Sequence, residues 1–405
     1  SLKTPHGSAV LDGSANTNTH EIEGSLKIHY PSVALIGHAI GKKLSGSAAL
    51  ETIFSGTLKQ PTVEGRIGLT NIEGDSFKFS QASIEFKAFS TTPLTAPDAS
   101  LTVRGNGNLQ SVENNHFPDV TLLWDFDIGF SEHWNKLSLN AIQLNLIDHS
   151  TQKHLATAAS KGTFKLKERT IDGNLNASAE NLAQLSPISG NVTLSGDIKG
   201  PLSDLSTHLT LKGKKLRDAH FSSDSLLVTL SLKGLPETPS GTLSAILEKN
   251  GLKVSADLSG HFSKEHILTL KEIRLKASNN TIDGTLSMSL KELAAEGRLI
   301  GDIQDLSVFS EILEHPIEGH AKIKASLENE DFKLSLNGQD LKGFGGEVAS
   351  VSFSSGLTLP KEIFQDFSRF EERIDGKASL DLERITWKKL VIEKGFLSAK
   401  KENGT

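Results

Sequence analysis

The stretch Leu226-Leu227-Val228-Thr229-Leu230-Ser231-Leu232-Lys233-Gly234 decides how this chain is read. Leu226, Val228, Leu230 and Leu232 alternate with Leu227, Thr229, Ser231 and Lys233, and Lys233-Gly234 ends the run with a turn signal. A strand reverses side at every residue, so the phrase is a β-strand with one apolar face. The same alternation returns at Leu137 and Leu139, at Leu209 and Leu211, and at Leu268 and Leu270. It returns again at Ile282, Leu286, Met288 and Leu290, at Ala321, Ile323, Ala325 and Leu327, and at Phe332, Leu334 and Leu336. Leu270 and Ile273 break the alternation, which places a bulge near Glu272-Ile273. Strands of a helix-covered parallel sheet would read as unbroken apolar runs instead. Gly24, Gly74, Asn106-Gly107, Asp172-Gly173, Asn250-Gly251, Asp283-Gly284 and Asn337-Gly338 are expected to mark further turns, and several of these dipeptides suit hairpins that need positive φ.

A second pattern is repetition. Leu44-Ser-Gly-Ser-Ala-Ala-Leu50 recurs as Ile188-Ser-Gly-Asn-Val-Thr-Leu194 and as Ile317-Glu-Gly-His-Ala-Lys-Ile323. The copies start 144 (188 − 44) and 129 (317 − 188) residues apart, too far for a standard solenoid. Each follows a short helix-like segment. Helical expectations cover about 31–41, 180–187, 304–314 and 361–373, with Asp305 as a cap in the third and Pro360 at the start of the fourth.

Half-apolar strands must cover their apolar face against another sheet, against helices, or by rolling up. Helices are too few, and no linker separates compact sandwiches or barrels. The expected fold is therefore all-β: one extended antiparallel sheet rolled into an open U-shaped groove, apolar inside, with a few short capping helices. About 25 strands at roughly 4.8 Å each would span on the order of 100 Å. Soft boundaries give repeat modules at 1–95, 181–305 and 306–405, with 96–180 as a continuation of the groove. The expected groove lining is Leu137, Leu139, Leu209, Leu211, Leu226, Val228, Leu230, Leu232, Leu268, Leu270, Leu286, Met288, Leu290, Ile323, Leu327, Leu334 and Leu336, with Lys233, Asp283, Lys322, Lys324 and Glu328 facing water.

Composition narrows the function classes. The net charge of −6, with both signs mixed along 405 residues, carries no nucleic-acid footprint. One Tyr and three Trp are few for a stacking surface, and Phe, with 19 copies, suits an interior that needs no polar handle. The absence of Cys excludes disulfides, thiol chemistry and Cys-ligated zinc, and fits an oxidising compartment. The longest apolar run, Val33-Ala34-Leu35-Ile36, is far below the roughly 20 residues of a membrane helix. The start Ser1-Leu2-Lys3 reads as the interior of a longer protein whose signal or anchor lies elsewhere.

Catalytic and metal-binding motifs are weak. Gly37-His-Ala-Ile-Gly-Lys42 lacks one residue of a phosphate loop, and Lys43 stands where Ser or Thr should. Glu311 and His315 share a helical face, but a metal would need further ligands beyond His320. The other histidines are scattered, and no nucleophile elbow or close carboxylate pair occurs. No catalytic residue, metal or cofactor is expected, and the chain reads as a non-enzyme. The alternative is a structural or adhesin-type β-sandwich or solenoid protein without a ligand groove.

Three stretches resemble the AsmA-like family, its TamB (translocation and assembly module) branch included. They are Gly190-Asn-Val-Thr-Leu-Ser-Gly-Asp-Ile-Lys-Gly-Pro-Leu-Ser-Asp-Leu205 with Leu209-Thr-Leu-Lys-Gly213, Gly297-Arg-Leu-Ile-Gly-Asp-Ile-Gln-Asp-Leu306 running into Ile317, and Ser55-Gly-Thr-Leu-Lys-Gln-Pro-Thr-Val-Glu-Gly65. The tail from Ile374 to Trp387 is more similar to the AsmA branch. The resemblance implies a periplasmic β-groove in a Gram-negative cell that takes phospholipid acyl chains. It further implies an inner-membrane anchor, a role in outer-membrane assembly and, for the TamB branch, an outer-membrane barrel partner.

Overall fold

The computed structural model describes all residues except 5–6, 35–37, 39–42, 75–77, 97, 115–116, 219–221, 311–314, 360–374, 388–389 and 402–405. The chain divides into two compact units, Ser1–Leu202 and Ser203–Thr405. Both are antiparallel β-meanders.

The first unit holds β1 (Leu2–Thr4), β2 (Gly7–Ala15), β3 (Glu21–Tyr30), β4 (Ser45–Thr57), β5 (Gln60–Glu73), β6 (Lys78–Phe89), β7 (Leu101–Asn114), β8 (Phe117–Ser131), β9 (Lys136–Asp148), β10 (His154–Lys165), β11 (Thr170–Ala179) and β12 (Ser189–Pro201). Each strand pairs antiparallel with the next in sequence. The second unit repeats the plan with β13 (Leu205–Arg217), β14 (Ser222–Leu235), β15 (Ser240–Lys249), β16 (Leu252–Phe262), β17 (Ile267–Ala277), β18 (Asn280–Ser289), β19 (Ala294–Ile303), β20 (Ile317–Glu328), β21 (Asp331–Gly343), β22 (Gly346–Thr358), β23 (Asp375–Trp387) and β24 (Leu390–Lys401). Again every pairing joins sequence neighbours. Among the described residues neither unit's first strand pairs with its last, so neither closes into a barrel.

Helical structure among the described residues is confined to single turns, chiefly Leu182–Gln184 and Leu306–Phe309. Asp305 caps the second, its carboxylate accepting from the Ser307 N–H at 2.9 Å. Asn181 caps the first in the same way, accepting from the Ala183 N–H. The expected helix over 361–373 lies outside the described residues, as does most of 31–41. The break in alternation at Leu270 and Ile273 is a real bulge: the register slips between them on both sides of β17.

Ala277, Asn280, Ile303 and Ala321 are buried at the end of the sheet that leads into the Leu306–Phe309 turn. Asn280 is 2 % exposed; its side-chain amide donates to the Asp305 carbonyl at 2.7 Å and accepts from the Asp305 N–H at 3.0 Å. Ser310 clamps Ile317 alike, its hydroxyl accepting from the Ile317 N–H and donating to the Ile317 carbonyl, both at 2.9 Å. These polar clamps fix the turn onto the sheet end and satisfy backbone groups that would otherwise be buried alone. Few large apolar residues are fully buried among the described residues; Leu155, Leu216, Ile72, Ile147 and Ile303 are the main ones.

Candidate functional site

Cross-strand register decides which residues share a face. In the first unit one row crosses all twelve strands: Leu2, Ala9, Ile28, Leu50, Ile67, Ile84, Gly107, Trp124, Leu144, Ala158, Ala177 and Leu194. In the second unit the corresponding row is Leu211, Val228, Ala245, Ala256, Leu275, Ile282, Gly301, Ile323, Leu336, Phe353, Leu380 and Leu397. No residue in either row carries a charged group, and the one ring nitrogen is that of Trp124. At roughly 4.8 Å per strand, each row is about 50 Å long.

The expected lining residues fall on these faces. Leu137 and Leu139 pair with Phe130 and Ile128 on one side and with Phe164 and Gly162 on the other, on the apolar face of the first unit. In the second unit Leu209, Leu211, Leu226, Val228, Leu230 and Leu232 share one face across β13 and β14. Leu268 and Leu270 pair with Met288 and Leu286, and Ile323 and Leu327 pair with Leu336 and Phe332, beside Leu334 opposite Ala325. Leu290 differs: β18 ends at Ser289, and Leu290 is an exposed turn residue whose N–H donates to the His266 carbonyl. Lys233, Asp283, Lys322, Lys324 and Glu328 are exposed and point the other way.

Strand residues of the apolar rows are mostly half-buried. They pack edge to edge with neighbours on their own face, and among the described residues only the single helical turns lie over them. One such turn closes a small cleft of ≈ 260 Å³ in the first unit, where Leu182 stands over Leu122, Leu144, Leu146, Val192 and Leu194. Aromatic rings fill the space above glycines of the preceding strand. A Cβ added to Gly65 would lie 2.7 Å from Phe86, one on Gly105 2.6 Å from Phe126, and one on Gly107 2.4 Å from Trp124. Glycine here lets a ring lie flat on the sheet and smooths the apolar floor.

The opposite face is charged and solvated. One of its rows in the first unit runs Lys27, Glu51, Arg66, Glu85, with ion pairs at 3.8 Å and 4.0 Å between exposed partners. Lys87 meets Glu64 at 2.6 Å, and Asp127 accepts from Arg104 at 2.7 Å and from Asn140 at 2.8 Å. Exposed pairs of this kind add little stability, but they keep this face wet and fix which side is apolar.

Among the described residues no three His, Asp or Glu side chains gather as a metal site, and no helix is long and apolar enough to cross a membrane. The phosphate-loop-like segment apart from His38, and Glu311 of the helical pair, lie outside the described residues. His315 sits against the Phe344 ring, centroids 5.5 Å apart. The Asp148 carboxyl is held down to about 2 by the Thr151 N–H and the Ser150 hydroxyl, in the turn between β9 and β10. Asp305 is lowered by the Ser307 hydroxyl and N–H. Both shifts belong to turn and cap geometry. No protein-family model matches the sequence, and no curated protein matches it.

Proposed function

We propose that this chain binds phospholipid acyl chains on its apolar faces, as part of a periplasmic bridge that carries lipid between the inner and outer membranes of a Gram-negative cell. The observation that carries the reading is the pair of unbroken apolar rows, each crossing twelve strands and left half-exposed. An ordinary soluble monomer tolerates contiguous apolar patches of about 300–600 Å². A half-exposed row about 50 Å long, with further leucines beside it on the same face, is an apolar stripe that calls for a cover. Acyl chains suit it: they are linear, each buried methylene contributes about 0.8 kcal/mol, and they need no polar partner from the floor. The resemblance to the AsmA-like family supports the same role and the membrane-bridging context.

The test is lipid extraction and mass spectrometry of the purified chain, with photo-crosslinking probes at Val228, Ile282 and Leu336. Leu230→Asp and Leu286→Asp should lower co-purifying lipid more than the matching Leu→Ala changes, because a carboxylate must be desolvated or holds water on the floor. Crosslinks confined to the charged face, or charge substitutions that leave lipid unchanged in a folded protein, would favour a structural β-protein instead.

A further inference from the structure

The charged face of the second unit carries an open trench of ≈ 1000 Å³ across β19 to β24. Its side is fixed by its lining. On each strand the trench touches three successive residues, and the apolar residues two positions further along, such as Ile323, Leu336 and Phe353, are not among them. The walls are therefore the two rows flanking the central residues, and those rows belong to the polar face.

One wall holds Arg298, Lys333, Lys377 and Lys400, and Lys324 stands in the other; no carboxylate lines the trench. Lys377 and Lys400 are directly opposed across two strands, an arrangement that like charges disfavour. Among the described residues no carboxylate lies within ion-pairing distance of Arg298, Lys324, Lys333 or Lys377, whereas Lys264, Arg274 and Lys342 of the same unit each have a carboxylate partner. In the first unit, by contrast, Lys27, Arg66, Lys87 and Arg104 on the equivalent face each have a carboxylate partner. Beside the cations, Ser335, Ser354, Ser379 and Ser398 form an unbroken hydroxyl row over four strands, with Ser354 and Ser379 hydroxyls 2.8 Å apart. Midway along the cation wall Gly356 leaves a gap: a Cβ there would meet nothing within 4 Å.

We propose that this trench binds a linear acidic polysaccharide, independently of the lipid reading for the other face. Cations one or two strands apart, over six strands, match anions repeating along one chain at intervals of roughly 5–10 Å. The parallel hydroxyl row offers donors and acceptors to sugar hydroxyls along the same track. No aromatic side chain lines the trench, so bases of a single-stranded nucleic acid would find nothing to stack on. A flat anionic surface is disfavoured too. The next row on the same face carries Glu328, Asp331 and Asp375, which a membrane would have to approach and a chain lying in the trench would not.

The probe is fluorescently labelled oligogalacturonate, added to the whole chain at low salt and followed by anisotropy. Binding is expected, with Lys333→Gln/Lys377→Gln weakening it about tenfold, as two exposed charge contacts allow. Gly356→Glu should abolish it and Gly356→Ala should preserve it, which separates charge in the trench from damage to the sheet; all variants should keep the wild-type circular dichroism. Inorganic polyphosphate, an unmodified single-stranded oligonucleotide and phosphatidylglycerol vesicles serve as competitors. Absence of oligogalacturonate binding overturns the proposal. So does equal affinity in Gly356→Glu, or displacement of the glycan by a competitor at a lower charge concentration than unlabelled oligogalacturonate requires.

Discussion

Gly46, Gly190 and Gly319, the third residues of the three repeated phrases, share one backbone state, with φ of +112°, +118° and +117°. At Gly46 and Gly319 the register slips, and two residues of the next strand oppose one. A Cβ at Gly319 would lie 2.7 and 2.8 Å from the Asp340 and Gln339 carbonyl oxygens, so both strain and clash bar a side chain. Gly319→Ala should therefore destabilise by about 1–3 kcal/mol, seen as a lower urea midpoint. Gly356→Ala, into open space, should stay within about 0.5 kcal/mol of wild type. Equal midpoints for the two would remove the structural meaning of the repeat. Asp148 offers a second check at this scale. Its folded pKa, near 2, lies below the unfolded value, so its contribution is present above about pH 4 and is lost as pH falls through 2. Carboxyl NMR titration should place its midpoint near that value, and Ser150→Ala should raise it by removing one of the hydrogen bonds that hold the carboxylate.

At the scale of elements, the repeat is larger than the phrases that announce it. Leu209-Thr-Leu-Lys-Gly213-Lys-Lys215-Leu216 in β13 and Leu334-Ser-Leu-Asn-Gly338-Gln-Asp340-Leu341 in β21 share one pattern and one geometry. Lys215 and Asp340 both have φ of +52°, and each following leucine folds back over the glycine, its Cδ1 2.6 or 2.8 Å from where a Cβ would stand. A helical turn, a glycine bulge and a kinked strand form the recurring unit. Its polar clamp is Asn280, and Asn280→Ala should cost about 1–3 kcal/mol by leaving the Asp305 N–H and carbonyl unpaired at a buried site. Hydrogen exchange at Asp305 should quicken with it; an unchanged rate would mean the turn is held by its apolar contacts alone. Strand faces and the β17 bulge were legible because alternation is a local signal. Strand ends were not: Asn106-Gly107, Asp172-Gly173, Asp283-Gly284 and Asn337-Gly338, expected as turns, lie inside β7, β11, β18 and β21, and of these dipeptides only Asn250-Gly251 turns, with φ of +49° and +82°. Nor was the clamp, since Asn280 and Asp305 meet only through β18 and β19. The trench was hidden for the same reason: Lys333, Lys377 and Lys400 are scattered over 67 residues (400 − 333) and align only through register. Leu290 went the other way, its parity right but its strand one residue too short.

At the scale of the molecule, both units carry the same equipment: twelve strands, one apolar row, one charged face. Two independent seats and a single path make different demands on that equipment. If each unit seats its own acyl chains, Leu144→Asp in the first and Leu230→Asp in the second should each remove part of the bound lipid, and the double variant should remove the sum. Distant, independent sites add in this way. Transfer of labelled phospholipid from donor to acceptor vesicles should behave differently under the bridge reading. A chain that must pass both units is stopped by a charge in either, so each single variant should fall nearly to the level of the double. Lipid content and transfer rate, measured on the same four proteins, therefore separate storage from passage. Additive losses in both assays would leave two lipid-binding units and no bridge; an additive loss of content with a non-additive loss of transfer is the outcome that passage requires.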